Sequence, residues 1–188
     1  KTSMNEPFSV VEPSGEETPV IVEIPHAGLW VDGPALATLA APARSIGRDA
    51  DLWVDELYAN APAQGATMIV SHVSRYVVDR KIAEAKAFTI SRVLDAPLSR
   101  RELARRLDTF YRPYHGAIAE LIVRKRKRFG HAIVIAAHSM PSVGRAANGD
   151  AQIHRADVVP GTRGRTSASA RFIDAVDAEA RAAGFSVS

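Results

Sequence analysis

Two histidines stand at the ends of apolar runs: His26 closes Ile21-Val22-Glu23-Ile24-Pro25-His26-Ala27-Gly28, and His138 closes Ile135-Ala136-Ala137-His138-Ser139-Met140-Pro141. Neutral imidazole is the commonest protein ligand for a divalent metal ion. In open α/β sheets, ligands gather beyond the carboxyl ends of the strands, so two strands ending on histidine would place two ligands in one cup. Read singly, each histidine is equally a capping or packing residue beside a proline turn; the pair carries the metal reading. A catalytic zinc takes three protein ligands and leaves one position for water. The third is sought among the acids that open the segment Asp49-Ala50-Asp51-Leu52-Trp53-Val54-Asp55-Glu56-Leu57-Tyr58-Ala59-Asn60, where Asp51 and Asp49 are both candidates. Each of these acids would otherwise serve as a helix cap. The chain has no cysteine, so any metal must be held by His, Asp or Glu.

Arginines supply a second chemistry. Arg75 and Arg80 bracket the end of the run 73–79, and Arg163 and Arg165 lie in Gly161-Thr162-Arg163-Gly164-Arg165. Guanidinium groups clamp carboxylates in bidentate fashion, which suits a small anionic substrate, and Arg75 could also stabilise an oxyanion. Asp79 offers a structural partner for one of them. His115, between the tyrosines of Tyr111-Arg112-Pro113-Tyr114-His115, is read as a packed imidazole, and His72, His131 and His154 receive no role. Glu23 and Glu56 are the acids nearest the proposed site, but neither is nominated as a general base.

These side chains need elements to position them. A fully buried strand is expected over 19–25, a short helix over 35–41, an amphipathic helix over 49–60, and two β-rich runs over 66–70 and 73–78. The run 80–88 is helix-like. The pattern Ser99-Arg100-Arg101-Glu102 reads as a capping box. It opens a long helix with Leu103, Leu107, Phe110, Tyr111, Tyr114, Ile118, Leu121 and Ile122 on one stripe, kinked or divided at Pro113. A buried strand comes next over 131–137, then a polar loop around Asn148-Gly149-Asp150, and a final helix over 167–183 with Phe172, Val176 and Ala180 inward. This alternation predicts one α/β domain with a mostly parallel or mixed sheet.

With 46% hydrophobic and 24% charged residues the chain suits a soluble globular domain with one core. It has no run of about eighteen apolar residues and no signal-like start, which argues for a cytoplasmic protein without a membrane partner. Net charge is only +3, and much of the excess sits in Arg124-Lys125-Arg126-Lys127-Arg128. That run closes a helical pattern, where cations complement the dipole and solvate the surface, and few aromatics accompany it. Nucleic-acid binding is therefore not expected.

Taken in order, Ile24-Pro25-His26-Ala27-Gly28, Asp49-Ala50-Asp51 before Leu57-Tyr58, Ser74-Arg75-Tyr76-Val77-Val78-Asp79, Tyr111-Arg112-Pro113-Tyr114-His115, Ala137-His138-Ser139-Met140-Pro141, and Asp157 with Gly161-Thr162 resemble the N-formylglutamate amidohydrolase family. The resemblance implies a three-layer αβα fold of the zinc-carboxypeptidase type, one zinc ion, and hydrolysis of N-formyl-L-glutamate to formate and L-glutamate in bacterial histidine degradation. Carried over by position, His26, Asp51 and His138 would be the metal ligands, and Arg75 and Arg80 would meet the substrate. The chain departs from the family where Asp79 runs straight into Arg80-Lys81 and where Ala136 replaces an acid. A gap is expected near 79–81. Relatives continue into a strand bearing a glutamate general base, so the chain is expected to be incomplete at its C-terminal side, with the base outside it. A monomer or small homo-oligomer is expected. The alternatives are a hydrolase of another N-acyl amino acid or peptide-like substrate, and a non-catalytic binding protein on the same scaffold.

Overall fold

The computed structural model describes residues 6–40, 43–79, 94–144 and 153–188. Arg80, the helix-like run 80–88, the junction at 80–81 and the polar loop at 148–150 lie outside the described residues. The chain forms two compact units, Lys1–Ser139 and Met140–Ser188.

In the first unit, four strands pair in the order β1-β3-β2-β4: β1 is Phe8–Val11, β2 Val20–Ile24, β3 Thr67–Ser71 and β4 Ile133–Ala136. β2 is parallel to both β3 and β4, and β1 runs antiparallel to β3, so the sheet is mixed. The fold is α/β. β2 and β3 are apolar on both faces because both are covered. On one face Ile21 and Ile69 pack against Tyr114, Ile118 and Leu121 of the long helix α5, Arg112–Phe129. On the other, Val22, Ile24, Met68 and Val70 pack against Val54, Ala66 and Ala137.

Several expected elements shrink. The helix expected over 35–41 is α1, Gly33–Leu36, whose start is set by the Asp32 carboxylate accepting from Ala35 N at 3.2 Å and by Pro34 in the first turn. After α2, Ala43–Arg48, the helix expected over 49–60 reduces to α3, Val54–Leu57. Trp53 breaks it by adopting a left-handed φ of 67°, which a helix cannot contain. The run 73–78 is a turn rather than a strand. Val77 and Val78 both donate to Ser74 O, and the Ser74 hydroxyl accepts from Tyr76 N at 3.2 Å, so a local serine turn replaces ladder pairing beyond one bridge between Trp30 and Val73. β4 is not buried: Val134 is exposed, and β2 is its one strand partner among the described residues.

The long helical pattern divides as Pro113 requires. α4, Arg100–Arg106, begins at Ser99, whose hydroxyl accepts from Glu102 N at 3.1 Å. A π-turn over Leu107–Tyr111 separates it from α5, which carries Pro113 in its first turn. The wider turn accommodates a residue with no N–H to donate. The run 124–128 is not a purely solvated face. Lys125 is fully buried, 2.9 Å from Glu17 Oε1 and 2.7 Å from Thr18 O, while Arg124 pairs with Glu12 and Arg128 with Glu17. The helix end meets the acidic segment that leads into β2, so three of the five cations are paired.

The second unit holds α6, Ala170–Ala182, capped by Ser169, with Ile173 buried and Phe172, Val176 and Ala180 half-buried. Arg163, Gly164 and Arg165 take consecutive positive φ values of 48°, 66° and 65°.

Candidate metal centre

His26 stands directly beyond the end of β2. The turn Pro25-His26-Ala27-Gly28 lies hard against the end of β3, where a Cβ on Gly28 would fall 2.2 Å from the His72 carbonyl carbon, so glycine is required there. Asp51 is fixed to this turn by its own backbone: Asp51 N donates to His26 O at 2.9 Å. It therefore sits on an irregular residue ahead of α3, not in a helical first turn. His138 stands just beyond β4, with Ala137 N donating to Glu23 O at 2.8 Å to continue the ladder. Adjacent parallel strands thus deliver both imidazoles to one end of the sheet, with ring centroids 4.9 Å apart.

His138 Nδ1 lies 2.7 Å from Asp51 Oδ2, and His26 Nδ1 lies 3.6 Å from the same oxygen. One ligand atom from each of His26, Asp51 and His138 lies within 4.8 Å of the other two, a cluster suited to a metal ion. Tetrahedral zinc with bonds of 2.0–2.1 Å holds its ligand atoms about 3.3 Å apart, and the two Nδ1-to-carboxylate spacings bracket that value. His26 Nδ1 is moreover a buried nitrogen with no hydrogen-bond partner, which is costly unless something binds it. The donor set, two imidazoles and a carboxylate, is that of a catalytic zinc, and it fits.

Asp79 completes the arrangement in a role its sequence context did not suggest. Its Oδ1 lies 3.0 Å from His26 Nε2, and its Oδ2 accepts from Arg75 at 2.7 Å. A carboxylate on the outer nitrogen fixes the tautomer that leaves Nδ1 free for a metal. The sequence signal was only the expected arginine pairing, which is present; the histidine contact spans 53 residues. His138 Nε2, by contrast, is buried without a hydrogen-bond partner.

Burial and pairing act in opposite directions on the charges of this site. Burial raises the Asp51 carboxyl, but the neighbouring imidazoles of His138, hydrogen-bonded to it, and of His26 outweigh it and hold it well below the usual range. Asp79 is lowered to about 2, because His26 and Arg75 together outweigh its burial. His26 is raised above its ordinary value; burial alone would lower it, and the Asp51 and Asp79 carboxylates reverse the sign.

The structure separates the remaining candidates. Asp49 is turned to other partners: its carboxylate accepts from the Tyr76 hydroxyl, and its carbonyl accepts from Arg75 at 3.3 Å. Among the described residues it is not part of the metal cluster. Arg75 joins the site from behind, through Asp79. Arg163 belongs to the second unit, and Arg165 pairs there with Asp174. Glu56 is exposed, and His72 is tied to Ser9 and to Glu6 O.

A family model described as N-formylglutamate amidohydrolase matches residues 18–188. The chain belongs to this family. It is 30% identical over 141 residues to an N-formylglutamate deformylase of Pseudomonas putida, and equally to one of Pseudomonas aeruginosa. Each match takes in 66% of this chain, which spans 52% and 53% of the two relatives, about half their length. The crystal structure of an N-formylglutamate amidohydrolase from Ralstonia eutropha JMP134 superposes with a TM-score of 0.85 at 25% identity, covering 97% of this chain and 75% of that one. A gene product of Agrobacterium tumefaciens, Atu2144, shares the fold at a TM-score of 0.69 and 21% identity, covering 97% and 72%. The α/β fold expected of the family is the one observed.

Proposed function

We propose that the protein is a zinc-dependent amidohydrolase that cleaves N-formyl-L-glutamate to formate and L-glutamate, as a step of histidine degradation in the cytoplasm. The observation that carries this reading is the convergence of His26 Nδ1 and His138 Nδ1 on one oxygen of Asp51, with Asp79 bound to the far side of the His26 ring. Family membership and the named activity of the relatives support the choice of N-formyl-L-glutamate as substrate.

His26, Asp51 and His138 would hold one ion. When bound, zinc acidifies water toward neutrality and polarises the amide carbonyl. The chain's own residues do the rest. Asp79 keeps the His26 proton on Nε2, and Arg75 holds Asp79 ionised. Arg75, Arg80 and Arg163 are the candidates to bind the substrate's two carboxylates, with Arg75 also a candidate for the oxyanion. Hydrolysis consumes one water; the formyl C–N bond breaks, and the released amine takes the proton. The substrate is a small anion, no nucleic acid or membrane partner is invoked, and the assembly is a monomer or small homo-oligomer. Among the described residues no helix is long and apolar enough to cross a membrane.

The test joins bound-zinc analysis to formate release from N-formyl-L-glutamate and from other formylated amino acids. One equivalent of zinc, lost in His26→Ala, His138→Ala and Asp51→Ala but kept in Asp49→Ala, with preference for the glutamate derivative, supports the reading. A full equivalent of zinc retained in both histidine variants overturns it.

A further inference from the structure

Arg106 is a fully buried guanidinium whose hydrogen bonds, among the described residues, go to Glu102, Thr38 and Val77 and not to the metal-centre residues. Among the described residues its acceptors lie in three different segments. Nε donates to Glu102 Oε1 at 2.7 Å, one turn back on α4; Nη2 donates to Thr38 Oγ1 at 2.6 Å, after α1; and Nη1 donates to Val77 O at 3.1 Å. Arg105 beside it extends the same bracket, pairing with Glu102 and with Asp32, the residue that caps α1. Glu102, lowered to about 2 by these two arginines, stays ionised to balance the buried charge.

The Val77 contact bears on the metal centre because Val77 lies in the serine turn that replaces a strand, two residues before Asp79. That turn has little ladder pairing to hold it, and Val73, Val77 and Val78 rest on Phe110 and Ala35. Asp79 in turn sets the His26 ring, at 3.0 Å from Nε2. A guanidinium is planar and offers its donors in a rigid fork, so it fixes both the position and the direction of the carbonyl it meets.

We propose that Arg106 is a positioning residue for the metal centre: by clamping the Val77 carbonyl against α4 it holds Asp79 on His26 Nε2, and so keeps His26 Nδ1 available to the metal. The consequence for affinity rests on the zinc reading; the consequence for the His26 ring does not. Each has its own measurement.

The experiment uses nitrogen-15 NMR of the histidine rings in metal-free protein at alkaline pH, where the imidazoles are neutral, together with zinc affinity by competition with a chromophoric chelator. In the wild type His26 is expected to be the Nε2–H tautomer, the one that donates to Asp79. Arg106→Met is expected to shift His26 toward a mixture of tautomers and to weaken zinc about tenfold, the low end of the loss seen when groups behind a metal ligand are removed. Arg106→Lys keeps a buried cation but not the fork, so it folds more readily and shifts the tautomer in the same direction. Lys125→Met, which removes another fully buried cation not bonded to the turn, controls for lost stability and leaves the tautomer unchanged. A wild-type tautomer in a folded Arg106→Lys or Arg106→Met variant overturns the inference, as does an equal shift in Lys125→Met. Failure of the wild type to bind zinc overturns the metal reading alone, since the tautomer shift is measured without metal.

Discussion

Asp79 shows how one carboxylate acquires a task from its surroundings. It is 1% exposed and touches both a metal-ligand candidate and an arginine, which lowers it to about 2 against an ordinary carboxylate value near 3.8. A depressed carboxyl adds stability above its unfolded value and loses it as pH falls toward the folded one. That difference corresponds to about 2 kcal/mol. Wild-type protein should therefore exceed Asp79→Asn in unfolding free energy at pH 5 and lose that margin between pH 4 and pH 2, measured by urea denaturation at each pH. His26 moves the other way. Its raised pKa contributes stability below the unfolded value that disappears as pH climbs through the folded one, and its proton competes with a metal at Nδ1. Zinc affinity should consequently fall from pH 8 to pH 6, more steeply than an unperturbed histidine would give. Gly28 is a residue-scale constraint of another kind. Gly28→Ala puts a Cβ 2.2 Å from the His72 carbonyl carbon, so the His26 turn or the end of β3 must move. A loss of about 2 kcal/mol or more in denaturant unfolding is expected, together with weaker zinc binding.

At the scale of elements, the long helical stretch was legible because its apolar stripe has a helical period and its start has a cap. Ser99 does cap it, and Pro113 does divide it. Ser99→Ala should cost about 1 kcal/mol in thermal or urea unfolding, since an orphan N–H loses its acceptor. The segments 49–60 and 73–78 depart from their expected elements for a common reason. Both carry a good local pattern that one residue overrides: Trp53 with its left-handed backbone, and Ser74 with its hydroxyl turned back on the chain. These are the segments that bring Asp51 and Asp79 to the candidate metal centre. Regular structure there would send successive side chains along a fixed period, whereas the site needs Asp49 turned to Tyr76 and Asp51 turned to His138. Lys125 makes the same point for charge. A cation run at a helix end looks like solvated surface until the acidic segment at 12–17 is found packed against it.

For the whole molecule, metal binding and folding should be linked. A ligand that binds only the folded state stabilises it by about 2.7 kcal/mol at a hundredfold excess over its dissociation constant. Excess zinc should raise the melting temperature, a chelator should reverse the rise, and His26→Ala should show neither effect; calorimetry of the three samples checks this. Much of the design was readable in the chain alone. Apolar runs of strand length, a helical stripe with its cap and breaker, and two histidines at strand ends are local patterns, set by the fixed periods of strand and helix and by side-chain chemistry. They imply an α/β sheet and a histidine pair at one end of it. The turning of Asp49 to Tyr76, the attachment of Asp79 to His26, and the burial of Arg106 and Lys125 came only from the tertiary structure. Each depends on contacts between residues far apart in the chain, in turns whose direction is decided by hydrogen bonds and packing that no local period records.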